Sequence, residues 1–282
     1  MTPRISSALA HSSDPDLRGL CFVVAYDGTD FCGSQLQPEQ RTVQGELERA
    51  FARMADHPAR ARLSGRTDAG VHALGQVVAF DTTRAIPPLG FMRGINTLLP
   101  DDLRIMRSAS CPAGYHPRHE SMGKTYRYVV QTGEQKNPLM RHRAFQLGRD
   151  VALDLGRMRE AASMLVGTHD FRAFRASDDQ RENTMRTIYT MTIEEAHAGD
   201  PTLVAIEVRG TAFMKNMVRI LAGTLLDVGR GRMPLARIPT LLGSEARRDQ
   251  AGLTAPAQGL TLVRVELGRK TPSPFPDLAP PG

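Results

Sequence analysis

Apolar positions fall into short runs of strand length and longer runs of helical spacing, and their order occurs twice along the chain. Residues 20–26, Leu-Cys-Phe-Val-Val-Ala-Tyr, form a continuous apolar run that stops at the turn residues Asp27-Gly28-Thr29-Asp30. Beyond it Val43, Leu47, Ala50, Phe51 and Met54 recur at helical spacing. Thr42 stands before them as an N-cap, although Gly45 holds the third position after it and Glu46 comes one later, so a capping box is incomplete. A short strand follows around 61–63, then a polar, glycine-bearing stretch at 64–70 and a strand at 75–80. A helix at 88–98 and a strand at 103–108 complete a β-α-β-β-α-β order.

The second half gives the same order. Residues 126–131 alternate as a strand and 153–166 have helical spacing. Strands at 186–194 and 203–209 flank the turn Ala198-Gly199-Asp200-Pro201. Met214, Met217, Val218, Leu221, Leu225 and Val228 line one face of a helix at 213–228, and 260–267 closes as a strand. The pattern predicts an α+β protein of two ferredoxin-like βαββαβ halves. Their antiparallel sheets join side by side, covering edges that would otherwise invite aggregation, and leave an active-site cleft between them. The expected division is a flexible tail over 1–18, an N-terminal half over 19–114, a C-terminal half over 115–268 and a disordered, proline-rich tail over 269–282.

Composition narrows the function classes. Among 282 residues, 41% are hydrophobic and 23% charged, the balance of a globular protein. No apolar run approaches the length that spans a bilayer, and the N-terminus lacks the basic start and apolar stretch of a signal peptide. A cytoplasmic protein without a membrane partner is expected. Cys21, Cys32 and Cys111 are isolated and have no zinc-like spacing, so they are read as free thiols, with no structural metal. The net charge of +6, carried mostly by arginine, favours an anionic partner such as nucleic acid, to which guanidinium groups are well matched.

The candidate chemistry lies between two predicted strands. In Ser64-Gly65-Arg66-Thr67-Asp68-Ala69-Gly70-Val71-His72, an arginine and an aspartate are packed between glycines that permit close approach of a ligand. Asp68 suits a nucleophile or a base, and Arg66 suits a phosphate grip. The same residues also compose an ordinary β-turn, in which Asp caps amides and Gly bends the chain. On residue types alone both readings stand.

The run Gly65 to Phe80, GRTDAGVHALGQVVAF, closely resembles the central motif of the TruA family of tRNA pseudouridine synthases. Other segments agree in order: Tyr26-Asp27-Gly28 with Phe31-Cys32-Gly33, Val43-Gln44-Gly45-Glu46-Leu47, residues 96–100, and Tyr115-His116-Pro117-Arg118. Lys124-Thr125-Tyr126-Arg127-Tyr128, Gly167-Thr168-His169-Asp170-Phe171, residues 213–219 and residues 255–262 continue the likeness, which spans about 20–267.

The resemblance implies a role for each matching position. Asp68 corresponds to the catalytic aspartate, and Arg66 to an arginine that helps displace the target base and hold the backbone. Tyr126 corresponds to the aromatic that stacks on the flipped uracil, Arg219 to the arginine paired with the carboxylate, and Leu260 to a wall of the uracil pocket. It further implies a tRNA substrate modified in the anticodon arm, at positions 38, 39 and 40, and a homodimer. The reaction breaks the N1–C1′ bond, turns the uracil and rebonds through C5. Nothing is oxidised and no group is added, so no cofactor is expected. Extruding the base costs on the order of a few kcal/mol, which stacking on an aromatic offsets by roughly 1–3 kcal/mol.

Two departures stand out. Ser34 occupies a place where relatives usually carry Trp, and His119-Glu120-Ser121 is more polar than the usual stretch. His72, His116, His119 and His169 are read as structural, with Pro117 expected to keep His116 and His119 from sharing a helical face. A non-catalytic RNA-binding module and an Asp-dependent glycosidase are the rival classes. Against them stand the 5% aromatic content and the absence of a second strong acid motif.

Overall fold

The computed structural model describes residues 14–148 and 151–280. In chain order the N-terminal elements are β1 (Arg18–Tyr26), α1 (Val43–Ala55), β2 (Arg62–Leu63), β3 (His72–Thr82), α2 (Pro88–Asn96) and β4 (Leu103–Cys111). Then come α3 (Pro117–Glu120), β5 (Ser121–Gln131), β6 (Phe145–Gln146), α4 (Leu155–Met164), β7 (Gly167–Asp170) and β8 (Met185–Glu194). The last are β9 (Leu203–Gly210), α5 (Met217–Gly229), α6 (Arg237–Thr240) and β10 (Leu260–Leu267).

The strands form one ten-stranded sheet in the order β4-β1-β3-β10-β5-β9-β8-β7, with β2 attached to β3 and β6 to β5. The fold is therefore α+β with a mixed sheet. Most ladders are antiparallel, but β3 meets β10 in parallel over only His72↔Thr261 and Ala73↔Leu262. One edge of β3 is taken by β1 along nearly its whole length. The opposite edge is shared: β10 holds its first residues, and β2 holds Val78 and Ala79 further on. The chain that leaves β2 and returns into β3 is thus forced through the gap where the two parts of the sheet meet.

Local chemistry explains the elements. Thr42 caps α1 by accepting the Gly45 amide at 3.2 Å, as its position in the sequence predicts. Phe51, on the buried face of α1, lies between Phe80 of β3 and Phe91 of α2, with ring centroids 4.1 and 5.4 Å apart. Burying such a ring stabilises the fold by roughly 1.5–3 kcal/mol. Helix α5 is apolar nearly all round, and Met217, Val218, Ile220, Leu221, Leu225 and Val228 are all buried.

Several boundaries differ from the sequence expectation. β5 begins at Ser121 rather than 126, because the polar residues ahead of Tyr126 find partners: Lys124 and Thr125 pair with Gly210 and Arg209 of β9, and the Lys124 ammonium donates to the Ser64 carbonyl. Tyr126 consequently lies inside the strand. α5 begins at Met217 rather than 213, since Asn216 adopts a left-handed φ of 60° that cannot continue a helix. β7, four residues with little apolar character, is unheralded by periodicity.

The terminal expectations also change. Arg18 already belongs to β1, and residues 1–13 of the expected flexible tail lie outside the described residues. The stretch 269–280, read from its prolines as disordered, packs on the sheet, with Phe275 and Leu278 buried. Glu120 accounts for this: its buried carboxylate accepts the amides of Lys270 at 2.8 Å and Thr271 at 3.1 Å. Arg107 grips Asp277 through two bonds of 2.7 and 2.6 Å and lies over the Phe275 ring. Residues 281 and 282 lie outside the described residues.

Candidate active site

The segment 64–71 crosses the gap on the edge of β3. Its entry is fixed by Gln76, whose Oε1 accepts the Ser64 hydroxyl at 2.6 Å and whose Nε2 donates to the Gly65 carbonyl at 3.0 Å. Lys124 of β5 donates to the Ser64 carbonyl at 3.0 Å. Burial, with Arg118 and Arg181 nearby, pushes its ammonium down to about 8. At Gly65 an added Cβ would stand 2.6 Å from Lys124 Nζ, so a side chain there would displace the lysine.

The exit is closed by Gly70, whose φ of 77° suits glycine, and by the Val71 amide donating to the Asp68 carbonyl at 3.2 Å. His72 then bridges the two parts of the sheet. Its Nδ1 accepts the Gly28 amide at 3.0 Å, which leaves the proton on Nε2 to be donated to the Gln258 carbonyl at 3.1 Å. This is the structural role expected of His72.

Asp68 sits at the apex of the loop with its side chain 36% exposed. Among the described residues its carboxylate accepts no hydrogen bond, and its charge partner is Arg219, whose Nη1 lies 3.6 Å from Oδ2. Arg219 is held firmly in turn. Its Nε donates to the Ala255 carbonyl at 2.7 Å, its Nη1 donates to Asn216 Oδ1 at 2.9 Å, and its own carbonyl accepts the Ala255 amide at 3.2 Å. The guanidinium is fixed and half-buried, and the carboxylate opens to solvent. An acid so placed is available to a ligand, and a fixed cation offsets part of the cost of covering it.

Tyr126 is 8% exposed, and the edge of its ring meets Phe213 at a centroid distance of 5.3 Å. Burial, the nearby Tyr26 and the charge of Asp68 push its phenol well above the usual range, so it stays neutral at physiological pH. Leu260 is buried where β10 starts, opposite Tyr128 of β5. Gly259 brings the chain so close to that strand that a Cβ would stand 2.7 Å from the Tyr128 ring. The same segment reaches the Asp68 loop, for a Cβ on Gly70 would lie 3.3 Å from that of Ala257.

Four of the five expected site residues are thus drawn to this seam. Arg66 differs, being exposed and making no hydrogen bond or ion pair with any described residue. Asn216 also borders an open groove of about 830 Å³, lined further by Asp178, Arg247, Arg248 and Thr254. Among the described residues no three His, Cys, Asp or Glu side chains converge to hold a metal. His116 and His119 do come together, with rings stacked 4.2 Å apart, because Pro117 occupies the first helical position of α3, where its ring is tolerated.

Sequence reasoning missed the residues that support the acid: Tyr26, Ser34, Gln76, Asn216 and the carbonyl of Ala255. Their signal is faint because each acts through one polar atom on a distant backbone. Ser34 was visible only as a departure from the usual Trp.

The fold thus brings one accessible carboxylate and one anchored guanidinium together in a polar seam of a mixed α+β sheet. A family model described as tRNA pseudouridine synthase matches residues 22–120 and 161–266. The tRNA pseudouridine synthase A of Geobacter sp. (strain M21) is 40% identical over 249 residues, covering 88% of this chain and 98% of that one. The protein of the same name from Geotalea uraniireducens (strain Rf4) is 43% identical over 249 residues, covering 88% and 99%. That from Shouchella clausii (strain KSM-K16) is 42% identical, covering 87% and 92%. The chain belongs to the tRNA pseudouridine synthase family, and is an isomerase that acts on tRNA.

Proposed function

We propose that this enzyme converts uridine to pseudouridine in the anticodon arm of tRNA, at positions 38, 39 and 40, with Asp68 as its catalytic group and without a cofactor. The observation that carries the assignment to Asp68 is its half-open carboxylate, free of hydrogen bonds from the described residues and 3.6 Å from the anchored Arg219. Asp68 acts either as a nucleophile toward the sugar or base or as a base toward a sugar proton. The N1–C1′ bond breaks, the uracil turns, and C5 bonds to C1′ while its proton is lost and N1 gains one.

The other residues take supporting roles. Because so little of Tyr126 reaches solvent, the uracil must enter the cleft to stack on it, which requires the nucleotide to leave its helix. Arg219 offsets the charge of Asp68 once the base covers it, and Leu260 walls the pocket. Arg66, exposed and unpaired, is placed to meet a phosphate. Two ferredoxin-like halves, 19–114 and 115–268, meet at the cleft, as the apolar periodicity suggests, and the working form in the cytoplasm is a homodimer, as the family resemblance implies.

The test is an unmodified anticodon stem-loop transcript incubated with the purified protein and read by mass spectrometry and primer-extension mapping. Pseudouridine at those positions is expected. Release of free uracil would identify a glycosidase instead, and tight binding without any change in the RNA would identify a binding module.

A further inference from the structure

The orientation of Asp68 has no side-chain support of its own. Its carboxylate accepts no hydrogen bond from a described residue, and its ion pair at 3.6 Å is longer than a hydrogen bond. Its direction is therefore set by the backbone that carries it, and that backbone is secured one residue earlier. Thr67 is buried, and all three of its polar groups are engaged. Its amide donates to Ser34 Oγ at 2.8 Å, its carbonyl accepts the Ser34 amide at 3.1 Å, and its hydroxyl bonds the Tyr26 hydroxyl at 2.8 Å.

Ser34 itself is fully buried. Its carbonyl accepts the Gln44 amide at 3.0 Å in the first turn of α1, so the clamp is anchored to a helix. Gly33 makes the approach possible: with a φ of 90°, its Cβ position lies only 3.0 Å from the Thr67 carbonyl oxygen. A small side chain with one acceptor oxygen at position 34 meets the Thr67 amide at hydrogen-bonding distance.

We propose that Ser34 is a positioning residue for catalysis, fixing the Thr67 peptide from both sides so that the Asp68 carboxylate points into the cleft beside Arg219. The proposal rests on the reading of Asp68 as the catalytic group. Ser34→Ala keeps both backbone bonds and nearly all the packing but leaves the Thr67 amide buried without an acceptor. The Arg66–Thr67 peptide then turns to find another partner, and the shift passes through Thr67 to Asp68. A displacement approaching 1 Å at a reacting group costs on the order of 100-fold in rate. The cleft residues that would hold RNA are untouched.

The experiment compares the full-length parent, Ser34→Ala, Tyr26→Phe and Asp68→Asn on an unmodified tRNA transcript, measuring kcat and tRNA Kd well below the melting temperature of each. Ser34→Ala is expected to lower kcat by about tenfold or more. Its tRNA Kd should stay within about twofold of the parent, since it removes no RNA contact. A kcat close to the parent's, or loss of rate and affinity by the same factor, overturns the proposal. Should Ser34→Ala fail to fold, Tyr26→Phe loosens the same residue through the Thr67 side-chain hydroxyl, and an unchanged kcat there overturns it equally. Asp68→Asn separates the two ideas. If that variant turns over, the Asp68 reading itself fails. If it is inactive while Ser34→Ala is normal, only the positioning role falls.

Discussion

Arg219 Nη1 stands 3.6 Å from Asp68 Oδ2, and the two residues belong to opposite parts of the sheet. Asp68 is carried by the loop between β2 and β3. Arg219 rises from the first turn of α5 and is fixed by Ala255 and Asn216. Neither part of the chain supplies the pair alone. The short parallel contact between β3 and β10 brings the parts together, and His72 reinforces it by bonding Gly28 on one side and Gln258 on the other.

Removing Arg219 tests that pairing. Arg219→Ala is expected to lower kcat by about 100-fold or more, because the uncompensated carboxylate must be covered by the incoming base. It should also lower stability by roughly 1–3 kcal/mol through the stranded Ala255 carbonyl and Asn216 side chain. Arg219→Lys should recover little, since one ammonium cannot reproduce the forked contacts of a guanidinium. Steady-state kinetics and thermal melts check both effects. Unchanged rate and melting temperature in the Ala variant would contradict the role.

Arg66 is exposed and has no partner among the described residues, so its removal should leave the fold intact. If it meets a phosphate, Arg66→Ala weakens tRNA binding at low salt and reduces the slope of log Kd against log salt by about 0.7–1. Titrations at several salt concentrations read that slope directly. An unchanged slope would place Arg66 off the RNA path.

Lys124 gives a pH signature. Burial brings its ammonium down to about 8, below the ordinary 10.5 of lysine. The unfolded chain therefore holds this proton across pH 8 to 10.5 while the folded one releases it. Stability contributed by this group consequently rises with pH through that window. Relative to Lys124→Met, the parent should gain melting temperature as pH increases from about 8 to 10. Melts of both proteins across that range check the sign, and a difference independent of pH would show that the ammonium is not depressed.

Much of this was legible in the sequence. The apolar runs placed β1, α1, β9 and β10 because each buries a continuous stripe. The glycine-flanked segment around Asp68 marked the loop. What could not be read was where polar strand residues find partners. Lys124 argues against a strand until the Ser64 carbonyl is seen to accept from it. Glu120 gave no hint that it would tie down the residues after 268, since its partners are backbone amides. The support of Asp68 by Ser34 was equally hidden, because a serine hydroxyl bonded to a distant amide leaves no periodicity.

The central claim is that one carboxylate performs the rearrangement, and Asp68→Asn reads it most directly. This exchange keeps the size of the side chain and removes its charge. Pseudouridine in an unmodified tRNA transcript, quantified by mass spectrometry over long incubation, should vanish in this variant while tRNA binding stays within a few-fold of the parent. Pseudouridine formed by Asp68→Asn at a rate near that of the parent would contradict the account.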